Sequence, residues 1–121
     1  MDLILITQTK KYLTGHTYQQ QGNIFYIAHQ EEDCDLLKLI VKAHALFLVT
    51  TIKGHYSNIP DLINDVNLET TYGNFDYDQK TNTLYYRASV DLNQRPYSLA
   101  LLEHLCNAPL VDLALLKKAA D

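Results

Sequence analysis

The sequence predicts an α+β fold, in the order α-β-β-β-α-β-β-α, with an antiparallel sheet of about five strands. Three observations predict it. Two runs rich in β-branched and aromatic residues, 23–29 and 36–52, precede a short amphipathic segment at 60–67. An alternating hairpin follows at 71–90. From Ser98 onward the leucines recur at helical spacing.

The first element is a helix over about 2–13, where Leu3, Ile6 and Leu13 share a face with Lys10 and Lys11 between them. Residues 3–7 alone also fit a strand. Thr14-Gly15 ends the element, as a glycine after a lysine-bearing turn commonly does. Residues 23–29, NIFYIAH, read as a strand and the acidic stretch 30–35 as a solvated turn. The run 36–52, LLKLIVKAHALFLVTTI, would be apolar nearly all round as one helix. As two strands joined near Lys42-Ala43-His44 it makes a central hairpin, which the Val, Thr and Ile of its second half favour. Asn58-Ile59-Pro60-Asp61 marks a helix start, and a helix over 60–67 sets Ile59, Leu62, Ile63 and Val66 on one face. Ser98 caps the last helix, with Leu99, Leu102, Leu105 and Cys106 in register. Pro109 then predicts a break, because proline inside a helix costs roughly 3 kcal/mol. A separate segment follows at 110–119.

The hairpin is fixed by register. Residues 79–82, QKTN, make a four-residue loop in which Asn82 can adopt the left-handed conformation. Asp78 then faces Thr83, and the pairs Tyr77–Leu84, Phe75–Tyr86, Gly73–Ala88 and Thr71–Val90 share one face. Tyr72, Asn74, Asp76, Tyr85, Arg87 and Ser89 take the other. A one-residue slip would send Phe75, Leu84 and Val90 into water, so the apolar set selects this register. Tyr77 and Tyr86 are thereby core residues. Tyr72, Asp76, Tyr85 and Arg87 are left outside as the candidate partner-binding patch.

Length and composition bound the function. A chain of 121 residues makes one domain, 1–121, that buries about two-thirds of its unfolded surface. Net charge is −4, and the ten Lys and Arg are scattered, pairing only at Lys10-Lys11 and Lys117-Lys118. Phosphate binding depends on concentrated positive charge, so no nucleic-acid partner is expected. The start, MDLILITQ, has no basic leader region, and no stretch approaches the roughly 18 consecutive apolar residues of a membrane span. Cys34 and Cys106 stand singly, which fits reduced thiols in the cytoplasm.

No reactive constellation is written in the chain. Residues 72–77, YGNFDY, carry acidic groups where an RNA-recognition strand needs basic and apolar ones. Asp76-x-Asp78 resembles the start of a calcium loop, but its sixth position is Thr81 and its twelfth Arg87, where glycine and glutamate are required. The five histidines lack ligand spacing, and no G-x-S-x-G or glycine-rich phosphate loop occurs. The sequence therefore predicts no enzyme, metal or cofactor. A distant Cys–His pair stays open, although Cys106 on an apolar helix face more often belongs to a core. A second class of reading is a small-ligand or enzymatic site on the outer sheet face, with Arg87 offering a fork to an anion. An immunity protein that neutralises a toxin fits the small acidic chain as well.

Three segments carry a family resemblance: LINDVN at 62–67, YGNFDYD at 72–78 and TLYYR at 83–87. With KKYLTGHTYQQQGNIFY at 10–26, they resemble the YbjN-like family, whose fold is shared with type III secretion chaperones. The family shows two asparagines three apart on a helix, matched by Asn64 and Asn67, followed by a strand matched by Gly73 and Phe75. The resemblance implies helices on one side of an antiparallel sheet, a homodimer, and no catalytic residues. Its members are proposed sensory or stress-response regulators, and the chaperone relatives bind extended segments of client proteins. The expected role is therefore a cytoplasmic protein-interaction domain, a regulator or small chaperone, with a protein partner or itself. Two departures stand against the chaperone form. Pro109 splits the long last helix, and few exposed apolar residues can be identified for a large client groove.

Overall fold

Six strands form one antiparallel sheet in the order β1-β2-β3-β4-β6-β5, in a computed structural model that describes residues 3–28 and 33–120. The elements run α1 (Leu3–Tyr12), β1 (Tyr18–Gln21), β2 (Ile24–Ile27), β3 (Leu37–Lys42), β4 (Ala45–Ile52), α2 (Ile59–Asn67), β5 (Gly73–Asp78), β6 (Thr83–Asp91) and α3 (Leu99–Ala120). The first four strands are a meander. The chain then crosses through α2, and the β5–β6 hairpin adds to it by pairing β6 with β4.

One face of every central strand is apolar, and that face meets the helices. Leu39 and Val41, Leu46 and Leu48, Phe75, and Leu84 and Tyr86 are all buried in one core. Leu102, Leu105, Leu113 and Leu116 of α3, Ile63 and Val66 of α2, and Ile6 of α1 complete it. The helices thus share one side of the sheet, as the resemblance implied.

The hairpin has the predicted register: Asp78 pairs with Thr83, Tyr77 with Leu84, Phe75 with Tyr86 and Gly73 with Ala88. Asn82 takes the left-handed conformation at φ 52°. The pairing stops at Gly73, so Thr71 does not face Val90, whose partner is Leu46 on β4. Gly73 cannot be another residue here. A Cβ on it would lie 2.2 Å from the Arg87 carbonyl oxygen, inside the backbone of the neighbouring strand.

Three expectations are corrected. The sheet gains a strand, β1, whose residues YQQQ carry no apolar alternation. Its pairing with β2 is set by the two-residue turn Gly22-Asn23, and Gly22 supplies the positive φ, 61°, that a tight hairpin needs. In α1, Leu3 is 70% exposed, and Ile6 and Thr9 are buried in its place. Finally, Pro109 does not break the last helix, which runs 22 residues as α3. Pro109 and seven other α3 residues are buried. At roughly 1.5–3 kcal/mol for each buried leucine, that packing outweighs one lost hydrogen bond.

The helix α3 contains an 18-residue window of mean hydropathy 1.5, apolar enough to cross a membrane by length and composition. Glu103, His104, Asn107 and Asp112 interrupt the run, and its leucines are spent on the sheet. The acidic turn expected at 30–35 lies partly outside the described residues. Of it, Asp33 pairs with Lys117 near the end of α3, and Asp35 donates its amide to the Thr51 carbonyl at 2.9 Å.

Candidate functional site

The segments of the family resemblance are held by polar side chains that replace missing main-chain partners. β5 is an edge strand. The Asn67 amide at the end of α2 accepts from Phe75 N–H at 2.8 Å and donates to Phe75 C=O at 2.9 Å. One side chain thus completes the edge strand as a neighbouring strand would. Asn64, its companion in the motif, is exposed on α2.

Just before β5, Asp112 reaches out of α3 with its side chain fully buried. It accepts from the amides of Thr71, Tyr72 and Gly73 at 3.3, 3.4 and 3.3 Å, and from the Tyr86 hydroxyl. Burial, and then the hydrogen bond to Asp112, push the Tyr86 phenol far above its ordinary range. Both oxygens of this carboxylate are engaged internally, Oδ1 by Thr71 and Oδ2 by Tyr72, Gly73 and Tyr86. It anchors a turn and is closed to a substrate.

The outer patch comes together only in part. Arg87 and Asp76 form an ion pair at 2.9 Å, with side chains 62% and 55% exposed. Tyr85 stands beside them, and with Val49 and Asp78 the three border a shallow hollow of about 500 Å³. Tyr72 is apart. Its ring meets the edge of His104 on α3 at 4.4 Å, and it borders a second hollow with Phe47, Asn74 and Arg87. The guanidinium of Arg87 is therefore already neutralised by Asp76, which weakens it as an anion fork.

A groove that the sequence did not reveal lies on the helical side. It spans about 470 Å³ between the end of α1, the end of β2, the start of β3 and the first half of α3. Its walls are Leu13, Ile27, Leu37, Leu99, Leu102 and Leu110. His16, Glu103 and Asn107 supply a polar rim. Leu99 and Leu110 remain 43% and 37% exposed, so the apolar lining is open to solvent. The α1 wall is fixed from behind: Thr9 donates to the Leu5 carbonyl at 2.7 Å and meets the Tyr97 hydroxyl at 2.7 Å. The Tyr97 ring stacks edge-on against Tyr12 at 5.2 Å. Cys106 also lines the groove, and burial, reinforced by Glu103, pushes its thiol up to about 12. A protonated thiol is a poor nucleophile, so this cysteine is part of the wall. No disulfide joins it to Cys34. Among the described residues no cluster of three His, Cys, Asp or Glu is arranged for a metal.

These features define an α+β protein with an open apolar groove beside α3. No family model and no curated protein matches the chain. Among the solved structures that share its fold, two cover most of the chain. YbjN from E. coli, described as a proposed transcription regulator, superposes with a TM-score of 0.66 at 8% identity, over 93% of this chain and 89% of that one. A chain of the HopA1–SchA chaperone–effector complex gives 0.65 at 10% identity, over 99% and 98%. The fold is YbjN-like and shared with chaperones.

Proposed function

We propose that this protein is a non-enzymatic protein-interaction domain that takes an extended segment of a partner protein into the groove beside α3, as a small chaperone does. The carrying observation is the solvent-open apolar lining, Leu99 and Leu110 above all, on a fold shared with a chaperone–effector complex. An extended chain with one or two apolar side chains fits such a channel: the side chains fill it while His16, Glu103 and Asn107 meet the main chain. The α3 wall runs from Leu99 to Leu110, and the unbroken helix keeps Leu110, beyond Pro109, in line with the rest. The chain acts in the cytoplasm as a homodimer, and a regulatory role would work through the same binding.

The test is a peptide array of apolar-rich, extended sequences probed with the purified protein, followed by anisotropy titration of the best binder. Leu110→Glu and Leu99→Glu place charge at exposed positions, so both variants should fold. Each should weaken binding by roughly tenfold or more, about 1.4 kcal/mol. Equal binding by wild type and both variants would refute the groove as the site.

A further inference from the structure

The groove beside α3 is apolar along most of its walls, and one carboxylate stands among them. Glu103 is the only acidic residue of the lining, and no lysine or arginine borders it. Lys10 and Lys11 lie on the last turn of α1, outside the lining. Glu103 is exposed, and among the described residues it has no ion-pair partner. Its charge nevertheless reaches the wall. Burial raises the Cys106 thiol to about 12, and the Glu103 charge, one helical turn away, adds to that rise.

The position of this carboxylate is specific. Leu99, Glu103 and Leu110 all line the groove from one helix. At about 1.5 Å of rise per residue, Glu103 stands about 6 Å along the axis from Leu99 and about 10 Å from Leu110. An extended chain advances about 3.3 Å per residue, so it covers those intervals in about two and about three residues. We infer that the groove selects a segment with two apolar side chains and a lysine or arginine between them, whose cation pairs with Glu103. The basic residue lies about two positions from one apolar side chain and about three from the other. The inference rests on the groove reading and names the class of segment it takes. His16 and Asn107 suffice for a neutral main chain, whereas an unpaired carboxylate is best matched by a cation. Apolar side chains docked on either side exclude water from around Glu103, which strengthens its attraction for that cation. An acidic residue in the same place would be repelled. The net charge of −4 favours the approach of the same class of partner.

Anisotropy titration of the purified full chain with fluorescent peptides tests this. The peptides Leu-Ser-Lys-Ser-Ser-Leu and Leu-Ser-Ser-Lys-Ser-Leu cover both chain directions, and each is matched by versions with acetyl-lysine or glutamate in place of the lysine. The better lysine peptide should bind the wild type roughly tenfold more tightly than its glutamate counterpart, with acetyl-lysine between. Added salt should narrow that gap. Glu103→Gln should abolish the preference and Glu103→Lys should reverse it. Both changes fall at an exposed position, so both variants should fold, which circular dichroism checks. A purely structural role for Glu103 would weaken every peptide alike and would reverse nothing. Binding that depends on Leu99 and Leu110 yet ignores the charge of the peptide and of residue 103 overturns this inference and leaves the groove reading standing. A lysine preference unchanged in both Glu103 variants overturns it as well. Failure of every peptide to bind the wild type overturns both readings.

Discussion

Asn67 pairs with the main chain of Phe75 through both halves of its amide, at 2.8 and 2.9 Å, as an adjacent strand would. The contact joins the end of α2 to an edge strand eight residues on, and it explains why an asparagine ends that helix. It also occupies the outward N–H and C=O of Phe75, which protects this edge against pairing with another chain. Asn67→Ala should therefore lower stability by about 1–3 kcal/mol in urea denaturation. Asn67→Asp should do no better, because a carboxylate keeps the acceptor for Phe75 N–H and turns a second acceptor on its carbonyl.

Gly73 is the steric counterpart of that contact. A Cβ added there would meet the Arg87 carbonyl at 2.2 Å and the Tyr86 hydroxyl at 2.8 Å, so any side chain must push β5 off β6. Gly73→Ala should cost about 3 kcal/mol or more, at the severe end of point substitutions. A melting temperature indistinguishable from wild type would mean that the hairpin can spread without loss.

Asp112 closes the same region from α3. Removing it strands the Tyr86 hydroxyl and three amides at 71–73, all turned toward the protein interior. Asp112→Ala should lose about 3–5 kcal/mol, and Asp112→Asn somewhat less, since one oxygen still accepts. Hydrogen exchange at residues 71–75 should rise more than elsewhere in both variants.

The fate of particular residues shows where sequence reading works. Phe75, Leu84 and Tyr86 had to share a face whatever surrounded them, so the hairpin register was legible from alternation alone. Strand β1 was not, because Tyr18-Gln19-Gln20-Gln21 has no apolar period, although Gly22-Asn23 marked its turn. Pro109 misled because the local cost of proline is visible in a sequence and the burial that outweighs it is not. The role of Asp112 depends on contacts about 40 residues away, and the groove on walls from four separate elements. Of the outer patch, the Asp76–Arg87 pair follows from strand geometry, but the turn of Tyr72 toward His104 depends on where α3 lies.

The exposed Asp76–Arg87 pair separates stability from recognition. Both side chains are more than half exposed, so solvent screens their attraction. Arg87→Ala should change unfolding free energy by under about 1 kcal/mol. Wild-type melting should not shift with inorganic phosphate or simple carboxylates. A marked phosphate-dependent rise lost in Arg87→Ala would revive an anion site on this face.

Alkaline pH should expose the tension in the groove wall. Burial pushes Tyr97 from its ordinary 10 up to about 12, and Cys106 from 9 up to about 12. Both groups hold their protons more tightly in the folded chain than in the unfolded one. Their contribution is therefore complete below about pH 9, begins to fall as the unfolded thiol ionises, and is lost as pH rises through about 12. Urea denaturation across that window should show declining stability, and the double variant Tyr97→Phe with Cys106→Ala should flatten the slope. Native Cys106 should likewise resist iodoacetamide at about pH 8 until denaturant is added, since alkylation needs the thiolate. Rapid labelling of the folded protein at that pH would mean that the α3 wall opens to solvent far more often than its burial in the groove allows.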